Sequence, residues 1–270
     1  MKQILTASVI AIACIVCLAA CKSEEVAKSP QLTIVLDMSS SALGKIDDVA
    51  IMDMEFAVAR ALIDSLEAEV DYGFTVFAGQ WSNVEEPKLN ASQAQNLINQ
   101  LEALRNASTQ GDLKDGSAIY SALLSASIPL MEIEGPSSIL LITDGDDNCS
   151  NISAGFLSQW MQDHGIRVDV VSISCQEGET IKHHIDVGDG QTISMPGNQD
   201  FRDLVKLTRA TNGAYHHITS MYEAEDIIEP LLSTIRQSES PTERPDSTYI
   251  DTSMRGWLQQ RITDEAVTLF

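Results

Sequence analysis

Three largely apolar runs limit what this chain can become: Leu32-Thr33-Ile34-Val35-Leu36, Leu140-Leu141-Ile142-Thr143 and Val168-Asp169-Val170-Val171-Ser172-Ile173. Each reads as a strand buried on both faces. Between and around them lie segments of helical periodicity. Residues 46–69, for example, carry Ile46, Val49, Phe56, Ala59, Ile63 and Leu66 near one face. The pattern predicts strands over 32–37, 71–78, 138–143, 167–174 and 214–219. It predicts helices over 46–69, 91–106, 118–132, 153–164, 200–210 and 224–237, with Pro129 bending the end of its helix. A short edge strand is expected over 84–88, where Pro87 limits pairing. Residues 180–195 read as a hairpin turning at Gly188-Asp189-Gly190. This alternation implies an α/β fold: a doubly wound, mainly parallel six-stranded sheet with helices on both faces and a hairpin insertion.

At the end of the first strand stands Asp37-Met38-Ser39-Ser40-Ser41, with one carboxylate and two hydroxyls at alternate positions. Only oxygen ligands are offered, which suits a hard cation such as Mg²⁺ or Mn²⁺ better than zinc or copper. By itself the pentapeptide is equally readable as a turn and helix N-cap. Two further segments add chemistry to it. Asp115-Gly116-Ser117-Ala118 sets a hydroxyl at a helix start, and Thr143-Asp144-Gly145 sets a carboxylate at the end of another buried strand. In a doubly wound sheet these positions meet at the carboxyl edge, where strand order reverses and ligands bind.

Taken together, the three motifs resemble those of a von Willebrand factor A domain with a metal-ion-dependent adhesion site. The likeness runs over about residues 31–237. Asp37, Ser39, Ser41, Ser117 and Asp144 fall where that family places its metal ligands. Gly44, Ser117-Ala118-Ile119-Tyr120-Ser121-Ala122-Leu123 and Thr143-Asp144-Gly145 match its other conserved turns. The resemblance implies Mg²⁺, or Mn²⁺ or Ca²⁺, as cofactor, with a Glu or Asp of a partner protein completing the coordination. Two departures stand out. Ser40 replaces a common Gly at a position that is not a ligand. Ser117 replaces the usual Thr and so lacks the β-branch that restricts its rotamer. Asp146, Asp147 and Asn148 extend the acidic cluster as a layer behind the ligands, a Ca²⁺ site or a cap of the next helix. Asp47 and Asp48, near the start of the first long helix, carry the same ambiguity.

The amino terminus places the domain. Met1-Lys2 precedes an uncharged apolar stretch over 3–20, and Leu18-Ala19-Ala20-Cys21 closes it. A charged start, an apolar middle and small residues before a break describe a secretory signal. The last four residues resemble the lipobox of bacterial lipoproteins, which implies cleavage of residues 1–20 and a lipidated Cys21 followed by a tether over 21–30. An uncleaved anchor of roughly 20 residues is the competing reading. Lys22 rather than Asp after the cysteine favours the outer membrane in a Gram-negative cell. Of five cysteines, Cys149 and Cys175 remain in the mature domain, each after a predicted strand. They form a candidate disulfide or stay as two thiols in a compartment that permits pairing. Residues 238–248 read as a linker. In 249–270, Ile250, Met254, Trp257, Leu258 and Ile262 fall at the spacing of a short helix, packed on the domain or docking a partner.

A formal net charge of −22 repels nucleic acid and anionic lipid, so no nucleic-acid partner is expected. The chain shows no nucleophile elbow, phosphate loop or Cys-x-x-Cys, and no enzyme is expected. Phosphatases that use an aspartyl nucleophile need a second Asp where Ser39 stands. His183-His184 and His216-His217 are adjacent on strands and so point to opposite faces. The expected function is a lipid-anchored protein of the bacterial envelope that binds a partner protein through a divalent cation. The alternative is a structural or accessory subunit of an envelope assembly, with a metal that only stabilises and recruitment through other surfaces. The 180–195 hairpin shapes partner choice or is decorative.

Overall fold

The computed structural model describes residues 31–66, 70–78, 81–89, 99, 103, 116–131, 135–174, 180–184, 192–196 and 201–236. In chain order, strand β1 (Gln31–Asp37) leads through a 3₁₀ turn (Ser40–Leu43) into a ribbon of β2 (Lys45–Ile46) and β3 (Val49–Ala50). Helix α1 (Ile51–Leu66), β4 (Asp71–Ala78), β5 (Trp81–Leu89), helix α2 (Ile119–Leu130) and β6 (Ser137–Thr143) follow. Then come α3 (Ala154–Asp163), β7 (Ile166–Ile173), β8 (Thr180–His184), β9 (Thr192–Pro196), α4 (Arg202–Ala210), β10 (Tyr215–Ile218), α5 (Met221–Asp226) and α6 (Ile228–Arg236).

Six strands form the central sheet in the order β10-β7-β6-β1-β4-β5. All neighbours pair in parallel except β4 and β5, so β5 is an antiparallel edge. An edge strand leaves one row of backbone groups unpaired, and there Pro87 is tolerated. The expected parallel, doubly wound sheet of six strands is thus present, with β5 longer than the sequence suggested. From β1 the chain builds outward to β4 and β5 on one side and to β6, β7 and β10 on the other. Strand order therefore reverses at β1.

Strand residues alternate between two cores. Leu32, Ile34, Leu36, Leu140, Ile142, Val171 and Ile173 pack under α1, α5 and α6. Val35, Ile139, Leu141, Val168 and Val170 pack under α2, α3 and α4. Polar contacts lock the far side of the sheet. The buried Asp169 accepts from Ala214 N at 2.7 Å and from Arg167 Nη2 at 2.8 Å, and Arg167 Nη1 donates to Thr234 O at 2.5 Å.

Three local expectations change. The helix expected from residue 46 begins at Ile51, because Asp47 and Asp48 take left-handed conformations (φ 50° and 64°) and turn the β2–β3 ribbon. Aspartate tolerates that conformation better than most residues. The helix expected over 224–237 is two helices: α5, capped by Ser220, and α6, which restarts with Pro230 in its first turn. The 180–195 hairpin is present as antiparallel β8 and β9, but it also joins the ribbon, giving a second sheet of order β3-β2-β8-β9. The helix expected over 91–106 lies outside the described residues apart from 99 and 103, as do residues 1–30 and 237–270.

Helix α4 ends with Asn212 at φ 56°. Gly213 then passes so close to β7 that a Cβ there would stand 1.8 Å from Val168 O. Backbone cannot yield as a side chain would. Gly213→Ala is expected to destabilise the domain by about 1–3 kcal/mol or more, read as a lower midpoint in urea unfolding.

Candidate metal centre

The reversal at β1 builds the site. Leu36 pairs with Ile142 in register, so the next residues, Asp37 and Thr143, emerge side by side from β1 and β6. Thr143 Oγ1 donates to Asp37 Oδ2 at 2.6 Å. Ser39 N donates to the other oxygen, Asp37 Oδ1, at 2.9 Å. That bond folds the chain back so that the two serines face inward. Ser39 Oγ and Ser41 Oγ lie 2.7 Å apart, and Ser41 Oγ donates to Asp144 Oδ1 at 2.9 Å. The Ser117 side chain also acts on the Asp37 carboxyl group, helping to lower its pKa. All five residues expected from the sequence therefore converge. Asp37, Ser39, Ser117 and Asp144 are buried, and Ser41 alone of the five is partly exposed.

The oxygen spacing suits a small hard cation. Six ligands around Mg²⁺ at ~2.1 Å stand roughly 3 Å from their neighbours. The Ser39–Ser41 and Ser41–Asp144 separations match that edge. A further oxygen, Asp144 Oδ2, is buried without a hydrogen-bond partner. It is an acceptor in need of positive charge. Among the described residues no three His, Cys, Asp or Glu side chains converge tightly enough to hold an ion by themselves, so the serine hydroxyls are needed to complete a donor set. Asp37, Ser39, Ser41, Ser117 and Asp144 fit such an ion.

The electrostatics agree. Burial raises the Asp37 carboxyl above its ordinary range, against the hydrogen bonds from Thr143 and Ser39. Burial, followed by the charge of Asp37, pushes Asp144 from 3.8 up to about 8. A third carboxyl group, Glu55 on α1, is held well above its ordinary value by burial and then by Asp144 and Asp37. Without a counter-charge Asp144 holds a proton at neutral pH, and a cation would displace it.

Ser117 is secured through its backbone. Gly116 turns the chain at φ 89°. Ser117 N donates to Asn148 Oδ1 at 2.8 Å, and Asn148 N returns a bond to Ser117 O at 3.0 Å. This two-point clasp supplies restraint that the missing β-branch does not. Helix α2 has no side-chain cap of its own. Its caps come from the loop after β6: Asp147 Oδ1 accepts from Tyr120 N at 3.0 Å and Ser150 Oγ from Ser121 N at 2.9 Å. The acidic run thus caps a helix, but the preceding α2 rather than the following α3, which Ser153 caps. The expected Cys149–Cys175 disulfide is not formed. Cys149 is half-buried with a free thiol, held between Asn148 and Ser150 on the α2 side, and Cys175 lies outside the described residues, as does Cys21.

Sequence reasoning missed Glu55, Thr143 as a partner of Asp37, and the Asn148 clasp. Glu55 was visible as one charge inside the apolar stripe of Ile51, Val58, Ala59 and Leu62. The two histidines of β10 do diverge. His217 Nδ1 lies 2.8 Å from Ser172 Oγ on one face, and His216 faces Asp169 on the other.

No family model matches the chain. A UPF0353 protein of Nocardia farcinica is 25% identical over 215 residues, covering 75% of this chain and 63% of that protein. Among solved structures, the conserved hypothetical protein BatB from Bacteroides thetaiotaomicron superposes with a TM-score of 0.61 at 20% identity, over 78% of this chain and all of that one. An aerotolerance-related membrane protein from Bacteroides fragilis gives 0.60 at 17% identity, over 77% of this chain and 100% of that one. Proximal thread matrix protein 1 from the mussel byssus, with a zinc-occupied MIDAS motif, gives 0.57 at 13% identity, over 81% of this chain and 48% of that one. A von Willebrand factor type A structure from Catenulispora acidiphila gives 0.54 at 18% identity, over 77% of this chain and 43% of that one. At these identities the likeness is one of fold, and the fold is that of the von Willebrand factor A domain.

Two outcomes follow from the geometry. Asn148→Ala opens the clasp on Ser117 and should weaken Mn²⁺ binding by about tenfold in calorimetry while leaving the fold intact. In EDTA, folded Asp144 keeps a proton that the unfolded chain has already lost. Stability from that proton is present at low pH and is lost as pH rises through about 8. The melting temperature should therefore fall progressively between about pH 4 and pH 8 and level off above that, and saturating Mg²⁺ should remove the fall.

Proposed function

We propose that this chain is a lipid-anchored protein of the bacterial envelope that captures a partner protein through a divalent cation. The observation that carries the reading is the convergence of Asp37, Ser39, Ser41, Ser117 and Asp144, with Asp144 Oδ2 buried and unpartnered. Asp37, Ser39, Ser41, Ser117 and Asp144 hold the ion. Three of these five ligands are neutral hydroxyls, so the ion keeps much of its charge for a further ligand. The partly exposed Ser41 marks the side from which a Glu or Asp of the partner reaches it. Strand β8 lies against the Ser40–Leu43 turn, so the second sheet forms a wall beside that approach and contributes to partner choice. The chemistry is recognition rather than catalysis.

The mussel protein with zinc in its MIDAS motif supports divalent binding on this fold. The oxygen-only donor set favours Mg²⁺ or Mn²⁺ for this chain. The aerotolerance-related membrane protein supports placement at a membrane, which Cys21 would supply through its lipid.

The test is affinity capture from membranes of the native host, with Mg²⁺ and then with EDTA, using wild type and Asp37→Ala. Partner proteins should be retained by wild type in Mg²⁺ and lost with EDTA or with Asp37→Ala. Undiminished capture in both conditions overturns the metal as the recognition element and favours an accessory subunit recruited through other surfaces.

A further inference from the structure

Glu55 has no role in the site as the sequence presents it, yet it is among the most unusual residues of the molecule. It lies one turn into α1, whose Ile51, Met52, Met54, Phe56, Val58 and Ala59 are buried, and is itself fully buried. Neither of its side-chain oxygens has a hydrogen-bond partner. Helix α1 packs against β1, β6 and the Ser40–Leu43 turn, the elements that carry the site, and the charges that act on Glu55 are those of Asp144 and Asp37, both negative. A buried carboxylate is normally paired or bound to a metal, because leaving it unpaired is costly.

The unmet needs complement one another. Glu55 Oε1, Glu55 Oε2 and Asp144 Oδ2 are all buried without a hydrogen-bond partner, and the charge of Asp37 acts on both groups. Once ionised, none of these oxygens can donate to another. A hydrated dication can, because it brings positive charge and water O–H donors together, and Mg²⁺ gives up its waters reluctantly. Direct ligation by all three carboxyl groups does not fit, since among the described residues no such trio converges on one point.

Resting on the metal-site reading, we propose that Glu55 is a positioning residue of the divalent-cation site. It accepts a hydrogen bond from a water molecule on the ion and adds a third negative charge from the α1 side. It thereby strengthens the hold on a small, hydrated dication without occupying the coordination position that faces the partner.

Calorimetry with Mn²⁺ and Mg²⁺ on wild type, Glu55→Gln and Glu55→Met tests this, with the melting temperature in EDTA measured alongside. Gln keeps the shape and Met keeps an apolar packing volume, so a folding failure in one leaves the other to decide. Both variants should melt no lower than wild type in EDTA and should bind Mn²⁺ about tenfold or more weakly. A purely structural Glu55 would change melting without changing affinity. Folded variants that bind Mn²⁺ as tightly as wild type overturn the role of Glu55 alone. Wild type that binds neither ion overturns the metal-site reading together with it.

Discussion

Two aspartates buried at the ends of adjacent parallel strands set the terms for the rest of the molecule. Asp37 and Asp144 are withdrawn from water by the same alternation that builds the two cores. A carboxylate so placed must be met by donors or by a cation. Thr143 and the backbone of Ser39 serve Asp37, and Ser41 serves one oxygen of Asp144. The remaining oxygen of Asp144 and both oxygens of Glu55 receive nothing from the described residues. The site therefore carries a surplus of unpartnered carboxyl oxygens among the described residues.

Precision in such a site comes from the frame around it. The parallel register of β1 with β6 fixes the spacing of the two aspartates. The cores on either face are built from fully buried Leu, Ile and Val, so the strand ends have little freedom to drift. On the open side, the turn after β1 is continuous with a small ribbon, and the ribbon is stitched to β8 and β9. The Asp37–Ser41 segment thus lies between a rigid sheet edge and a second, smaller sheet.

Much of this was legible in the sequence because it rests on local patterns. Short apolar runs marked the buried strands, and Asn212-Gly213 marked the end of α4. The five oxygen donors could be named because each follows a strand or opens a helix in the expected order. What escaped was set by long-range contact. Nothing local says that Asp47 and Asp48 turn a ribbon and delay α1, since acidic residues also favour helix starts. Glu55 stood out as one charge inside an apolar stripe, but only the fold shows that the charges acting on it are those of two aspartates. Asn148 was open between a layer behind the ligands, a Ca²⁺ site and a cap of the next helix, and only its partner Ser117 reveals its work. Cys149 offered a plausible pairing from compartment and strand order, but its neighbours bind it to another element.

The loop after β6 has a consequence for how this protein can change over time. Surface loops usually accept insertions and deletions at small cost. Here Asp147, Asn148 and Ser150 each meet a separate backbone group at the start of α2. Adding or removing one residue would shift all three out of phase at once and uncap a helix some 30 positions earlier in the chain. The length of this loop is therefore fixed as tightly as a strand register, and variation among relatives is expected to fall elsewhere.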